Sequence, residues 1–236
     1  MASVLQQLKV ARRSARNGDR SAARALCLEI LKRQPNCLLA HRLLAWIGLD
    51  TGGRETITHL QQCAAIDPED PLAEVGQAIY AELNGVSESA LQHFSRAAEL
   101  DPDDERIQGE IARLGGSFED TGLSLGVQRL RAGDAKSAAD VLRDAAVTSP
   151  SDAAIKLALA RSLWILGLYE QAVGLATQVS ATHPLSIASL MFSLAAEIRR
   201  GRGLRARELQ SRVEAIDPGF ILHADLGSVL ALPVSK

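Results

Sequence analysis

The chain has 236 residues, 47% apolar content, 3% aromatics and a formal net charge of −2. That is enough apolar material for a continuous core, and the balance of charge is wrong for a sustained nucleic-acid surface, so no nucleic acid is expected as a partner. No run of about 18 uncharged apolar residues occurs, so no membrane span is expected; the start, Met1 to Leu5, lacks the basic stretch and apolar run of a signal peptide, and the expected location is cytoplasmic.

In chain order, six prolines divide the sequence: Pro35, Pro68, Pro102, Pro150, Pro184 and Pro218, spaced by 33, 34, 48, 34 and 34 residues. A glycine precedes each one, at Gly18, Gly52, Gly85, Gly133, Gly167 and Gly201, by 17 residues in five cases and 16 in the second. A fixed beat of this length marks one supersecondary unit copied along the chain. Each copy holds two stretches of about 14 residues rich in Ala, Leu, Arg and Glu, which favour helix. The glycine suits a left-handed residue just past the first helix, and the proline stops the second. The unit is therefore predicted to be a helical hairpin.

Small residues stand where the two helices of a hairpin must touch. Ala11, Ala45, Ala78, Gly126 and Ala160 lie seven before the glycine, with Leu194 breaking the series; Ala23, Ala90, Ala138, Ala172 and Ala206 lie five after it. Side chains of this size allow interaxial distances near the lower end of about 8–10 Å. In the second copy Thr56 comes only four after Gly52, which places the missing residue in that turn.

The spacing predicts three hairpins over residues 1–103, an inserted helix over 104–117, three more hairpins over 118–219, and a closing helix with tail over 220–236. The insert is read from Ile107, Ile111 and Leu114 at helical spacing before Gly115-Gly116. It is either a degenerate half-repeat or a joint that alters the path of the stack. The last segment carries Ile221, Leu222, Asp225, Leu226, Val229 and Leu230 as a two-wide, mostly apolar stripe and offers a surface for a homo-oligomer. Terminal repeats usually present a polar outer face, and this one does not.

Charge is uneven along the array. Residues 1–34 carry eight cations against two acids (+6), residues 67–105 one cation against eleven acids (−10), and residues 199–212 six arginines against one acid (+5). Such blocks are solvated helix faces or a means of selecting partners.

Several stretches resemble the tetratricopeptide repeat family: Gly167-Leu168-Tyr169-Glu170-Gln171-Ala172 leading to His183-Pro184, Gly133-Asp134 through Ala138 to Pro150, and the endings Ile66-Asp67-Pro68, Leu100-Asp101-Pro102 and Ile216-Asp217-Pro218. The resemblance spans about residues 4–219, although the family's aromatic near the start of the first helix is mostly absent. It implies an all-α, right-handed α-solenoid of about six helix-turn-helix hairpins. It also implies that the first helix of each hairpin lines a concave groove. By that analogy the groove residues lie at fixed offsets before each glycine: Leu8 and Arg12; Arg42, Trp46 and Leu49; Val75 and Ile79; Leu123 and Val127; Leu157, Arg161 and Trp164; Met191 and Ile198. This mostly apolar set, with three isolated arginines and both tryptophans, suits a protein or peptide ligand, either an amphipathic helix or an apolar extended segment. The expected function is a non-enzymatic interaction scaffold. The alternative is a structural or assembly subunit, self-associating or part of a bacterial secretion, pilus or envelope machine.

Catalytic patterns fail on context. Gly122-Leu123-Ser124-Leu125-Gly126 spells GxSxG, but a nucleophilic serine needs a strand-to-helix turn and none precedes it. Gly201-Arg202-Gly203-Leu204-Arg205-Ala206 matches a dinucleotide-loop pattern but falls between two predicted helices. His41, His59, His93, His183 and His223 lack metal spacing with one another or with Cys27, Cys37 and Cys63, which read as small buried thiols. No cofactor and no metal are expected.

Overall fold

A computed structural model describes residues 3–49 and 53–232, and among these every regular element is helical. The first half contains α1 (Val4–Arg16), α2 (Arg20–Arg33), α3 (Leu38–Leu49), α4 (Arg54–Ile66), α5 (Pro71–Leu83), α6 (Ser87–Leu100) and α7 (Glu105–Arg113). The second contains α8 (Gly122–Arg131), α9 (Ala135–Thr148), α10 (Ala153–Ile165), α11 (Tyr169–Thr182), α12 (Ile187–Arg199), α13 (Gly203–Ile216), a 3-10 turn (Pro218–Phe220) and α14 (Ala224–Val229). Helices pair as hairpins α1–α2, α3–α4, α5–α6, α8–α9, α10–α11 and α12–α13, and successive hairpins stack: α2 on α3, α4 on α5, α9 on α10 and α11 on α12.

The local chemistry accounts for the boundaries. The hairpin glycines Gly18, Gly85, Gly133, Gly167 and Gly201 all have φ between 69° and 83°, the left-handed region where a side chain is penalised. At Gly133 the turn closes with Gly133 N–H donating to the Leu130 carbonyl (3.1 Å) and Asp134 N–H to the Arg129 carbonyl (2.9 Å). Asp134 then opens α9, its carboxylate accepting from Ser137 N–H at 3.0 Å. The turn that holds Gly52 lies outside the described residues.

The small-residue register does what its spacing requires. Ala11, Ala23, Ala45, Ala78, Ala90, Ala138, Ala160 and Ala172 have no exposed surface. At the Gly126 crossing there is no room for a side chain: a Cβ there would sit 2.5 Å from Leu142 Cδ2 and 2.9 Å from Cδ1. Gly126→Val is therefore expected to destabilise by about 1–3 kcal/mol through overpacking. Gly174→Ala, in α11 where a Cβ meets nothing within 4 Å, is expected to stabilise by up to about 1 kcal/mol. Urea midpoints of the two variants against the parent check both signs.

The insert forms α7, capped by Asp104, whose carboxylate accepts from Arg106 N–H at 3.0 Å. Ile107 and Ile111 are buried against α6 in a cluster that also takes in Phe94, Ala97, Leu114 and Phe118. Helix α6 thus contacts both α7 and α8, so the stack runs on past the insert.

The ends of the array meet. The 3-10 turn touches both α13 and α1, and α14 lies on α10. At Gly219 (φ 76°) a Cβ would be 3.7 Å from Leu5 Cδ2. The segment expected to close the last repeat turns inward instead. Its Phe220, Leu226, Leu230 and Leu232 join the main core, alongside Leu38 and Ile66 from the second hairpin and Leu157 and Met191 from the fifth and sixth. Of the apolar residues that the sequence offered for a homo-oligomer at this end, Leu226 and Leu230 are buried within their own chain and Leu222 is half-buried; Ile221 and Val229 stay exposed at 44% and 36%.

Candidate groove and its C-terminal wall

The inward turn of the last segment leaves a cavity of about 500 Å³ between distant parts of the array. Arg42 of α3, Leu72 of α5, Leu123 and Val127 of α8 and Arg161 of α10 form one side, and Leu222, His223, Leu226 and Val229 of the C-terminal segment form another. The turn between α4 and α5 supplies Asp67, Glu69 and Asp70. Four of the residues predicted from the sequence, Arg42, Leu123, Val127 and Arg161, line this one cavity.

The other predicted groove residues separate into packed and exposed sets. Leu8, Leu49, Leu157, Trp164 and Met191 are buried, at 5% exposure or less, among their own neighbours. Val75 and Ile79 are half-buried in the cluster around α5, α6 and α7. Arg12, Trp46 and Ile198 are exposed.

The polar part of the cavity is an alternating line of charges. Asp217, at the end of α13, accepts from the backbone N–H of Leu222 (3.0 Å) and His223 (3.1 Å) and lies 3.1 Å from His223 Nδ1. His223 Nε2 lies 3.1 Å from Asp67 Oδ2. Arg42 continues the line, 3.5 Å from Asp67 and donating through Nε to Asp70 at 2.9 Å. Beside it, Arg161 Nη2 donates to both oxygens of Glu69 at 3.1 and 3.2 Å. Its Nε is buried without a partner. Two of the three arginines that look isolated in the sequence, Arg42 and Arg161, are therefore paired, through residues 25 to 92 positions away.

These contacts set the ionisation states. Burial pulls the His223 imidazole down, but its bonds to Asp217 and Asp67 and their charges outweigh burial and raise it to about 9. Burial also works against the charge of Asp67, and the bond and charge of His223, with Arg42, hold its carboxyl below the ordinary value. Burial pushes Asp70 up to about 6 against the pull of Arg42, and Glu69 rises for the same reason against the pull of Arg161. At neutral pH His223 is a buried cation between two carboxylates.

Sequence reasoning missed His223, Asp67 and Asp217 as a set. Ile66-Asp67-Pro68 and Ile216-Asp217-Pro218 were visible as repeat endings, but nothing in one repeat tells that two such aspartates share a histidine 156 residues from the first.

The motifs that fail on context have structural roles. Ser124 is fully buried at the start of α8. Its Oγ accepts from Thr121 N–H at 2.8 Å, completing a capping box, and lies 3.1 Å from Asp120 Oδ1. Gly201 lies in the turn between α12 and α13, and Gly203 opens α13. Cys27, Cys37 and Cys63 are buried free thiols, Cys27 and Cys63 pushed up to about 12 by burial. Away from the groove, His41 Nε2 donates to the Pro35 carbonyl at 2.8 Å, and its Nδ1 lies 2.9 Å from His59 Nδ1. No helix among the described residues is long and apolar enough to cross a membrane.

Comparison with known proteins places one part of the chain directly. Residues 123–179 match the family model described as tetratricopeptide repeat. No curated protein matches the sequence. Among solved structures, PilF of Pseudomonas aeruginosa is 13% identical, with 95% of this chain and 96% of that one covered and a TM-score of 0.39. A tetratricopeptide repeat protein from Parabacteroides merdae is 12% identical, with 97% and 84% covered and a TM-score of 0.44. PilW, a type IV pilus biogenesis factor, is 16% identical, with 94% and 97% covered and a TM-score of 0.40. At these identities and scores the structures say nothing about the role of this chain.

Proposed function

We propose, from the premise that this chain is a tetratricopeptide-repeat protein, that it is a non-enzymatic scaffold whose concave cavity receives an apolar segment of another protein. The single observation that carries this reading is the cavity itself. It is open to solvent, it is walled by several repeats, and its rim carries Leu72 and Ile165 at 46% and 50% exposure. Exposed leucine and isoleucine converging on a concave site are the usual mark of a ligand or partner. Of the residues read from the sequence, Arg42, Leu123, Val127 and Arg161 belong to this cavity, and Arg12, Trp46 and Ile198 are accessible from solvent on the array outside it. Three buried free thiols fit a reducing compartment, and we place the scaffold in the cytoplasm.

Leu72→Asp, at a half-exposed rim position, tests this without threatening the core. Leu204→Asp, 85% exposed on α13 away from the cavity, is the control. In affinity capture from the native host, the parent and Leu204→Asp are expected to recover the same protein, and Leu72→Asp at least tenfold less of it, which corresponds to about 1.4 kcal/mol of binding. Equal recovery by all three chains rejects the groove. Trp46→Ala, outside the cavity, is a second control; Trp164→Ala is not usable, because that side chain is 5% exposed and its loss acts on the fold.

A further inference from the structure

The C-terminal segment has little reason of its own to adopt its shape. Helix α14 has six residues and no side-chain cap, far short of the about 12–15 residues at which isolated helices become even marginal. Phe220 (φ 55°) and Ala231 (φ 53°) both hold left-handed backbone, which disfavours any residue with a Cβ. What holds the segment is its contact with the array: Phe220, Leu226, Leu230 and Leu232 buried in the main core, and His223 bridging Asp217 and Asp67 at 3.1 Å on each side.

Both aspartates are also held by the backbone of the array itself. Asp67 ends α4 with its N–H donating to the Cys63 carbonyl, and Asp217 ends α13 in the same way on Val213, both at 2.8 Å. They are 7% and 1% exposed. Withdrawing the segment removes the Leu222 and His223 contacts of the Asp217 carboxylate and leaves Asp67 with Arg42 and the Glu69 N–H, so two acids face one site with one positive charge fewer, which is costly. Whatever replaces the segment must therefore bring a cation to that position and apolar side chains to either side of it.

We infer that residues 220–232 are an intramolecular occupant of the groove, and that the external ligand is a protein segment of the same chemistry, a leucine-bearing stretch that presents one cation between Asp67 and Asp217. This rests on the groove reading above and deepens it: the ligand's key charge is positive, although three arginines were the groove's evident charges in the sequence. Arg42 and Arg161 are already taken by Asp70 and Glu69, so they do not call for a carboxylate.

The test uses the full chain, the parent and the double variant His223→Ala/Leu226→Asp, and a fluorescent synthetic peptide with the sequence of residues 218–232. Anisotropy titrations are made with that peptide and with its H223K and H223E forms. The double variant is expected to bind the unmodified and H223K peptides at least tenfold more tightly than the parent chain does, and the H223E peptide at least tenfold more weakly than H223K. Equal binding by parent and variant overturns the occupancy. Equal binding of the H223K and H223E peptides overturns the cation rule while leaving an apolar groove standing. If the double variant is helical by circular dichroism and binds no peptide, the inference falls, and host-partner loss on Leu72→Asp still decides the groove by itself. Should the double variant fail to fold, His223→Ala alone carries the test: amides 224–232 are expected to exchange at least tenfold faster than in the parent while α10 is unchanged, and unaltered exchange rejects the catch.

Discussion

Phe192→Ala is expected to lower stability by about 3–5 kcal/mol, the cost of truncating a buried aromatic and leaving a cavity. Phe192 is 1% exposed in α12 and meets Trp164 of α10 edge-on at 5.8 Å between ring centroids. Trp164 in turn stands edge-on to Tyr169 at 4.8 Å. The Arg199 guanidinium lies 3.6 Å from the Tyr169 ring centroid and 6.0 Å from that of Trp164. This cluster joins the fifth hairpin to the sixth, and in a chain 3% aromatic it has no duplicate elsewhere among the described ring contacts. At about 2–4 °C per kcal/mol for a chain of this size, the melting temperature is expected to fall by roughly 6–20 °C. Because these rings lie in the fifth and sixth hairpins, α12 and α13 are expected to lose amide protection before the first hairpin does. A melting temperature within about 2 °C of the parent's would mean that the two hairpins are not joined through these rings.

The second large effect is a dependence of stability on pH between about 6.5 and 9. His223 binds its proton more tightly folded than unfolded, because Asp217 and Asp67 outweigh its burial and raise it to about 9 from an ordinary 6.5. Its contribution is complete below pH 6.5 and is lost as the pH rises through 9, a change of roughly 3 kcal/mol. Other shifted groups act outside that window. Asp70, pushed up to about 6, loses its contribution between pH 4 and 6. His41 and His59, both lowered by burial, cost stability as the pH falls below 6.5. Cys27 and Cys63, raised to about 12, act only above pH 9. Urea midpoints at pH 6.5, 7.5 and 8.5, below the range of the thiols, are expected to decline for the parent and to be nearly level for His223→Gln. A parent midpoint that does not move over this range excludes a charged His223 between the two aspartates.

The same residues show why the groove was only half legible in the sequence. Arg42, Leu123, Val127 and Arg161 could be placed by register, since a helix in a repeat presents the same offsets in every copy. Register could not say that Leu157, Trp164 and Met191, at equivalent offsets, would be covered. That depends on how far the array bends and on where residues 220–232 go. Nor could it pair Arg161 with Glu69, since a bond across 92 residues depends on the curvature summed over several hairpins.

The sequence by itself determined the hairpin, its length, its glycine turn and the alanine crossings, because each is local and is written again in every copy. It also settled that the GxSxG serine sits in a helix rather than on a strand-to-helix turn. Only the tertiary structure decided that the ends of the array meet and that the last segment folds into the hollow. Small rotations between successive hairpins add up over the whole stack, and no single repeat carries their sum. The buried cation at His223 follows from that sum: two distant aspartates converge, and their hydrogen bonds and charges outweigh the burial that would otherwise keep the imidazole neutral.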